Sequence, residues 1–162
     1  MKKLFSIVIL SALFASCAPD KPKEKPDGEE DSYENIDGKD ENAVAANAQA
    51  GKGVGAVKEV TLKTPLEQER VGRGLAIYEM KCQGCHKLDD QRVVGPGWKD
   101  VTTRRKPEWI MNMITNVDVM LAEDPEAQKL LELCLMRMPN QNVSVGDARD
   151  ILEYMRHNDG QK

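Results

Sequence analysis

The sequence predicts an all-α domain over residues 64–162. Apolar residues in this part recur at three- and four-residue intervals, which is the spacing of one face of an amphipathic helix. A proline or a capping residue precedes each of these stretches, as expected at the start of a helix. No stretch alternates apolar and polar residues for long, so strands are not expected.

The first predicted helix begins at residues 64–67 (TPLE), which form a capping box with proline at the first helical position. Apolar residues then recur at helical spacing as far as Tyr78, so the helix is expected to run to Lys81. Residues 87–106 contain a Gly-Pro-Gly stretch and are expected to form a loop.

Three further helices are expected after that loop. Pro107 opens the second helix, whose apolar residues extend as far as Val117. Asp124 caps the third helix, and residues 144–147 (SVGD) form a capping box that opens the last one. The domain is therefore predicted to contain four helices in sequence.

The N-terminus has the form of an export signal. Two lysines precede an apolar run, residues 4–14, which is too short to span a bilayer comfortably. The residues that lead to Cys17 resemble the lipobox of bacterial lipoproteins. That resemblance implies a lipoprotein signal peptide over residues 1–17 and a lipidated Cys17. The alternative is an ordinary signal peptide, and either interpretation exports the protein.

Residues 18–63 are expected to form a disordered tether. Prolines, charged residues, alanines and glycines dominate this segment, which cannot bury enough apolar surface to offset the entropy of ordering. The whole chain of 162 residues has a formal charge of −4 and no basic block. A nucleic-acid partner is therefore not expected.

Residues 82–86 (CQGCH) carry the strongest chemical signal of the sequence. In a haem attachment site, Cys82 and Cys85 would form thioethers with the porphyrin and His86 would bind the iron. This interpretation gives both cysteines and the histidine a role and suits an exported chain. The haem would be a single heme c, held covalently.

Two other interpretations of the same residues remain. A thiol–disulfide switch needs a strand–helix–strand unit, which the helical pattern does not supply. A structural zinc site could draw on Cys82, Cys85, Cys134 and either His86 or His157. Such sites usually have a second pair of ligands at short spacing, which this chain lacks.

A haem that transfers electrons needs a second axial ligand, commonly methionine. Met138 is the first candidate, because Pro139 imposes extended backbone on it and so places its thioether in a loop. Met136 is the second candidate and Met120 the third. The remaining methionines of the helical stretches are expected to fill the core: Met111, Met113 and Met155.

Residues 64–162 resemble class I c-type cytochromes over nearly their whole length. The similar features occur in the family's order: Gly74 to Cys82 in the first helix, the CQGCH motif, Val94-Gly95-Pro96, Met138-Pro139, and Asp150 to Met155 in the last helix. The resemblance implies the cytochrome c fold, in which three to five helices surround one covalently attached haem.

The resemblance also implies roles for residues around the haem. Pro96 would place its carbonyl or its ring against His86, and Trp98 or Arg104 would donate to the haem propionates, with Arg105 as a further candidate. The first helix would cross the last one at two glycines, Gly72 and Gly74. Trp109 is expected in the core, and the helical spacing of Cys134 suggests a buried small hydrophobe.

The expected function is that of a membrane-tethered monohaem cytochrome, an electron carrier and not an enzyme. It would face the periplasm from a bacterial membrane. A membrane dehydrogenase or quinol-oxidising complex would be its donor, and a terminal reductase or oxidase its acceptor. Two alternatives remain open: a haem protein with an open sixth site, acting as a gas sensor or peroxidase, and a structural zinc lipoprotein.

Overall fold

A computed structural model describes residues 51–162, which contain six α-helices and no strand. The predicted all-α class is confirmed. The predicted signal peptide, Cys17 and residues 18–50 of the predicted tether lie outside the described residues. The helices are α1 (Gln68–Ile77), α2 (Val101–Arg104), α3 (Pro107–Thr115), α4 (Val117–Glu123), α5 (Pro125–Cys134) and α6 (Val145–Asn158).

The predicted starts of three helices are confirmed. Pro107 is the first residue of α3. The Asp124 carboxylate accepts a hydrogen bond of 2.8 Å from the backbone N–H of Ala127 and caps α5. The Ser144 hydroxyl accepts from the N–H of Asp147 at 3.1 Å and caps α6. Each of these signals acts within four residues, so local sequence is sufficient to specify them.

Helix α1 begins at Gln68, later than the capping box predicts. The Glu67 carboxylate does not turn back to Thr64, because it bonds the side chains of Lys63 and Arg70 at 3.1 Å each. The N–H of Glu67 donates to Glu153 of α6, also at 3.1 Å. These partners replace the two bonds of a capping box, and Glu67 becomes the residue before the helix.

The far end of α1 widens into a π-helical turn, Tyr78–Cys82, that the sequence does not predict. The N–H of Gln83 donates to the carbonyl of Tyr78, five residues earlier, at 2.9 Å. The Cys82 carbonyl then accepts from the N–H groups of both Cys85 and His86. The π-helical turn therefore ends at Cys82, the first residue of the CQGCH motif.

The predicted second helix is two helices. Asn116 leaves helical geometry, with φ −138° and ψ 43°, and separates α3 from α4. Its side chain donates to the Val54 carbonyl at 3.3 Å. Val117, expected at the end of the earlier helix, lies fully buried in α4.

Helix α2 lies inside the stretch predicted to be a loop. The Asp159 carboxylate, just after α6, accepts from the backbone N–H of Asp100 at 2.8 Å and of Thr102 at 2.9 Å. A side chain more than fifty positions away thus supplies the cap of α2. The local sequence contains no such signal.

The last part of the predicted tether, residues 51–63, packs against the helices, and the predicted tether boundary at residue 63 is wrong. Val54 and Val57 are buried, with 3% and 7% of their surface exposed. The Asn112 side chain bonds both backbone groups of Val57, accepting at 3.0 Å and donating at 2.9 Å. We call residues 51–63 the N-terminal strap.

Glycines let the strap approach the helices closely. A Cβ on Gly55 would lie 2.2 Å from Asn112 Oδ1, and a Cβ on Gly53 would lie 2.8 Å from the Met120 side chain. Composition indicates flexibility for this stretch, but here the missing side chains make room for packing.

None of the helices between residues 51 and 162 combines the length and the apolar character that a membrane span requires.

Helices α1 and α6 cross in close contact, as predicted, with Gly74 at the crossing. A Cβ on Gly74 would lie 2.8 Å from the Tyr154 Cβ, and the rings of Tyr78 and Tyr154 pack with centroids 5.6 Å apart. The prediction is wrong for Gly72, where a Cβ would meet nothing within 4 Å. One glycine therefore accounts for the close crossing.

Candidate cofactor site

A mainly apolar cavity of about 350 Å³ lies within the helical body. Cys82, Cys85 and His86 contribute to its lining, together with residues 94–98 and residues 136–139. Side chains from each of the helices α2 to α6 also contribute to the lining. The segments that carry the predicted site residues are thus brought to one space, although they are far apart in the sequence.

The His86 ring is held in a fixed orientation. Its Nδ1 lies 2.8 Å from the carbonyl oxygen of Pro96. Because a carbonyl only accepts, Nδ1 carries the proton and Nε2 is left with a free lone pair. Burial lowers the pKa of His86, although the Pro96 carbonyl acts in the opposite direction. The neutral imidazole favoured by this burial is the form that binds metals.

Gly95 makes the contact between Pro96 and His86 possible. A Cβ on Gly95 would lie 2.3 Å from Cε1 and 2.7 Å from Nδ1 of His86. The N–H of Gly95 donates to the Cys85 carbonyl at 3.0 Å and so fixes this segment against the motif. Any larger residue at this position would push the ring or the backbone away.

Cys82 and Cys85 are free thiols. Burial raises the pKa of Cys82 to about 11, while Lys81 lowers it by a smaller amount. A thiol–disulfide switch relies on a thiolate at neutral pH, with a lowered pKa. The raised pKa of Cys82 therefore argues against that interpretation.

The methionines occupy different places. Met138 is half-buried and lines the cavity, and Met136 lines its edge with 60% of its surface exposed. Met120, the third candidate ligand, is fully buried in α4, and its Sδ accepts a hydrogen bond of 3.0 Å from the N–H of Val54. Met120 belongs to the core under the strap, so its candidacy is wrong.

Met111 and Met155 are buried in the core, as expected. Met155 also contributes to the cavity lining, as does the half-buried Met113. Helical spacing assigns both residues to the apolar interior without distinguishing a wall of the cavity from the rest of the core.

The predicted propionate donors differ in their surroundings. Trp98 is buried, with its ring centroid 5.6 Å from that of His86 and 5.0 Å from that of Tyr78. Arg104 lines the cavity, and its Nη2 donates to the carbonyl of Lys99 at 2.9 Å. Arg105 also lines the cavity but pairs with Glu126 at 3.0 Å.

The predictions for Trp109 and Cys134 have different outcomes. Trp109 is in the core, as predicted, and its Nε1 donates to Asp124 at 3.0 Å. Helical spacing predicts a buried small hydrophobe at Cys134, but this residue is only half-buried at the end of α5, where it lines the cavity. The helix ends there, so Cys134 lies at a wall and not in the packed interior.

The described residues do not form a metal site of the zinc type. Within residues 51–162, no three His, Cys, Asp or Glu side chains come close enough to hold an ion. His157, one of the predicted zinc ligands, is exposed on α6.

Two basic side chains that the sequence does not single out connect the motif to residues 133–141. Lys81 Nζ donates to the Gln141 carbonyl at 2.8 Å, and Arg92 Nη1 donates to the Leu133 carbonyl at 2.7 Å. Their acceptors are backbone atoms forty or more positions away. No sequence pattern identifies such pairs.

The residues around the cavity fit a covalently attached haem. Two free thiols and an oriented imidazole line an apolar space, and a half-buried thioether lines the same space. The Gly95 backbone lies so close to the His86 imidazole that only the hydrogen of a glycine fits between them.

Comparisons with known proteins agree with this fit. The family model described as "Cytochrome c" matches residues 71–159. A solved cytochrome c from Rhodothermus marinus is 33% identical, with a TM-score of 0.65, covering 73% of this chain and 96% of its own. No curated protein matches the chain.

Two engineered forms of the Rhodothermus marinus cytochrome c, called Rma TDE, are also similar. One is 32% identical with a TM-score of 0.65. The other was solved bound to a carbene intermediate and is 32% identical with a TM-score of 0.62. Each match covers 75% of this chain and 100% of the engineered protein.

Proposed function

This chain belongs to the cytochrome c family, and on that premise we propose that it carries single electrons between components of a respiratory chain. The predicted cytochrome c fold and the single covalent heme c are confirmed by this membership. The proposal also includes which residues would bind the haem, which proteins would exchange electrons with it, and where in the cell it would act.

The observation that carries the proposal is the contact between His86 and Pro96. Nδ1 of His86 is engaged at 2.8 Å, so Nε2 would bind the iron in one orientation. Cys82 and Cys85 would hold the porphyrin as thioethers. Haem c bound here supplies one-electron chemistry, because its iron is stable in two adjacent oxidation states.

Met138 would provide the second axial ligand. It lines the cavity, and the proline after it keeps its backbone extended. A thioether ligand raises the reduction potential relative to a second imidazole. The apolar lining excludes water from the site and acts in the same direction, because burial in a low dielectric disfavours the more highly charged oxidised state.

We propose an electron carrier and not an enzyme, since the chain itself would occupy both axial positions. An open sixth position, which a gas sensor or a peroxidase needs, would require Met138 to be absent from the iron. Both Met138 and Met136 line the cavity, which supports closure. The carbene seen in one similar structure belongs to that engineered protein.

Partner proteins would dock beside the cavity. Four apolar side chains in its neighbourhood are unusually exposed: Val93 (55%), Leu133 (63%), Leu135 (90%) and Met136 (60%). Transient redox encounters use small interfaces. The proposed donor is a membrane dehydrogenase or a quinol-oxidising complex, and the proposed acceptor is a terminal reductase or oxidase. A nucleic-acid partner is not proposed.

Lipidation of Cys17 would anchor the protein to a bacterial membrane, facing the periplasm. The polar segment between Cys17 and the strap would then link the anchor to the haem domain. Such a link raises the effective concentration of the domain near membrane-bound partners. The support for this part of the proposal is the form of the first seventeen residues alone.

The test is to export the full chain in cells that attach haem to c-type cytochromes and to purify the mature protein. We expect the mass of the polypeptide plus one haem plus lipid, and a reversible one-electron titration. Membranes that contain the donor complex should reduce the protein. A colourless product, or a haem protein that binds carbon monoxide when reduced as readily as an open-site haem, would overturn the proposal.

A further inference from the structure

The loop that carries the methionines has little backbone support. We call residues 136–143 the methionine loop. The last backbone–backbone hydrogen bond before it joins Leu135 to Leu131, and the next one joins Ala148 to Ser144. In the described part of the chain, no such bond holds the loop itself. Its position therefore depends on side chains.

Two basic side chains bind the backbone on either side of the two methionines. Lys81 Nζ donates at 2.8 Å to the carbonyl of Gln141, three residues after Met138. Arg92 Nη1 donates at 2.7 Å to the carbonyl of Leu133, three residues before Met136. The two bonds thus secure the chain on either side of both methionines.

Both donors come from the part of the chain that holds the haem motif. Lys81 immediately precedes Cys82 in the π-helical turn, and Arg92 forms an isolated antiparallel bridge with His86. The bonds therefore connect the side of the cavity that carries the imidazole to the loop that carries the thioether.

The acceptors suit positive charge. The Leu133 carbonyl belongs to the last turn of α5, where the carbonyls lack helical partners and the helix dipole is negative. A third contact, between Arg137 and Asp118 at 2.7 Å, joins two side chains that are both more than half exposed, and such pairs contribute little.

The residue just before the loop has an unfavourable backbone conformation. Leu135 adopts φ 57°, a left-handed conformation that bulky residues rarely take, and 90% of its surface is exposed. Neither burial nor local preference therefore holds the chain at this point. The Arg92 bond to the adjacent turn supplies a restraint where the local sequence opposes the geometry.

We propose that Lys81 and Arg92 are positioning residues that keep the methionine loop closed, so that the Met138 thioether stays on the iron. This inference rests on the proposed function, in which Met138 is the axial ligand. Opening the loop requires both bonds to break. Removing either one raises the fraction of molecules in which Met138 has left.

The test measures how easily an external ligand replaces Met138 in the ferric holoprotein. Imidazole binds only where the thioether has left, so its apparent affinity rises with the open fraction. The variants are Lys81→Met, Arg92→Met and the pair together. We expect imidazole to bind about threefold more tightly to each single variant and about tenfold more tightly to the double variant.

Two control variants accompany the test. Lys87→Met removes an exposed lysine next to His86 whose side chain makes no hydrogen bond to the methionine loop, so its imidazole affinity should equal that of the wild type. Lys81→Arg retains a donor that reaches the Gln141 carbonyl and should restore the wild-type affinity. A second readout is amide hydrogen exchange over residues 136–143, which should quicken in Lys81→Met and Arg92→Met.

The outcomes separate the ligand assignment from the positioning role. A wild-type ferric protein without the weak far-red absorption band of thioether ligation would overturn Met138 ligation itself. A wild type with that band, and variants that bind imidazole and exchange amides like Lys87→Met, would overturn the positioning role alone. Should Lys81→Met fail to acquire haem, Arg92→Met decides the question, because Arg92 lies outside the attachment motif.

Discussion

The backbone of Gly74 lies against the backbone of Asp150, with room for no side chain between them. A Cβ on Gly74 would lie 2.2 Å from the Asp150 carbonyl oxygen and 2.7 Å from its carbonyl carbon. The Asp150 side chain meanwhile binds α1 through Arg70 at 2.6 Å and Arg73 at 2.5 Å. Main chain and side chain of one residue thus fasten the first helix to the last.

Replacement of Gly74 by alanine should destabilise the protein. The added methyl group meets backbone atoms of α6, which cannot move aside as a flexible side chain can. We expect Gly74→Ala to lower the free energy of unfolding by about 1–3 kcal/mol, the usual range for overpacking. Gly72→Ala is the matched control in the same helix. It meets open space and should be neutral or stabilising, by up to about 1 kcal/mol. Equal losses for the two variants in denaturant titrations would contradict the prediction.

The two loop methionines should differ in their spectra. We expect Met138→Ala to lose the far-red band of the ferric haem and to lower the midpoint potential, because Met138 is the proposed thioether ligand. Met136→Ala should keep the band, since Met136 is mostly exposed at the cavity edge. Absorption spectra and redox titrations check both variants. The opposite pattern would move the ligand to Met136.

Replacement of Asn112 should release the N-terminal strap. Its amide makes three hydrogen bonds to strap backbone groups, at Lys52 and at both groups of Val57. Asn112→Ala leaves buried backbone groups without partners, at a cost of about 2–3 kcal/mol in the free energy of unfolding. Limited proteolysis should then cut residues 51–63 before the helices. Thr115→Ala alters the same helix but removes a hydroxyl that donates to the Met111 carbonyl, so it should leave the strap protected.

The crossing of α1 and α6 should weaken in acid. Burial alone would raise the pKa of Asp150, but hydrogen bonds from Arg73 and Arg70 outweigh it and hold that pKa below its ordinary value of 3.8. Because the folded-state pKa is the lower one, the contribution to stability is fully present above the unfolded value. It is lost as the pH falls below about 4 and through the folded pKa.

Asp150→Asn isolates this contribution. The variant should be less stable at neutral pH, and its stability should fall less steeply with acid below about pH 4 than that of the wild type. Urea titrations at several pH values compare the two slopes. Parallel slopes would show that Asp150 does not titrate differently in the folded and unfolded chains.

Local signals account for the parts of this protein that sequence alone predicts. The caps at Asp124 and Ser144 act over three residues, and the CQGCH motif places two thiols and an imidazole within five. Pro139 distinguishes Met138 from the methionines of the helical stretches, because it disfavours helical backbone at the residue before it. Each of these features has its physical cause inside a short window of the chain.

The parts that sequence does not predict depend on distant partners. Asn116 interrupts a helical pattern and bonds Val54, sixty-two positions away. Glu153 replaces the capping interaction expected at the start of α1, and Asp159 creates a helix in a predicted loop. The glycines of the strap are indistinguishable in composition from those of a linker, because distant side chains such as Asn112 and Met120 give them their packing role.

The strap also decides how the protein bears mechanical load. Since Val54 and Val57 are seated beside α3 and α4, a pull on the N-terminal end reaches these two valines before it reaches α1. Such a force would first separate Val54 and Val57 from α3 and α4, while the contact between α1 and α6 still carries no load. The packing of α1 against α6 is thereby protected from a force applied at the N-terminal end of the strap.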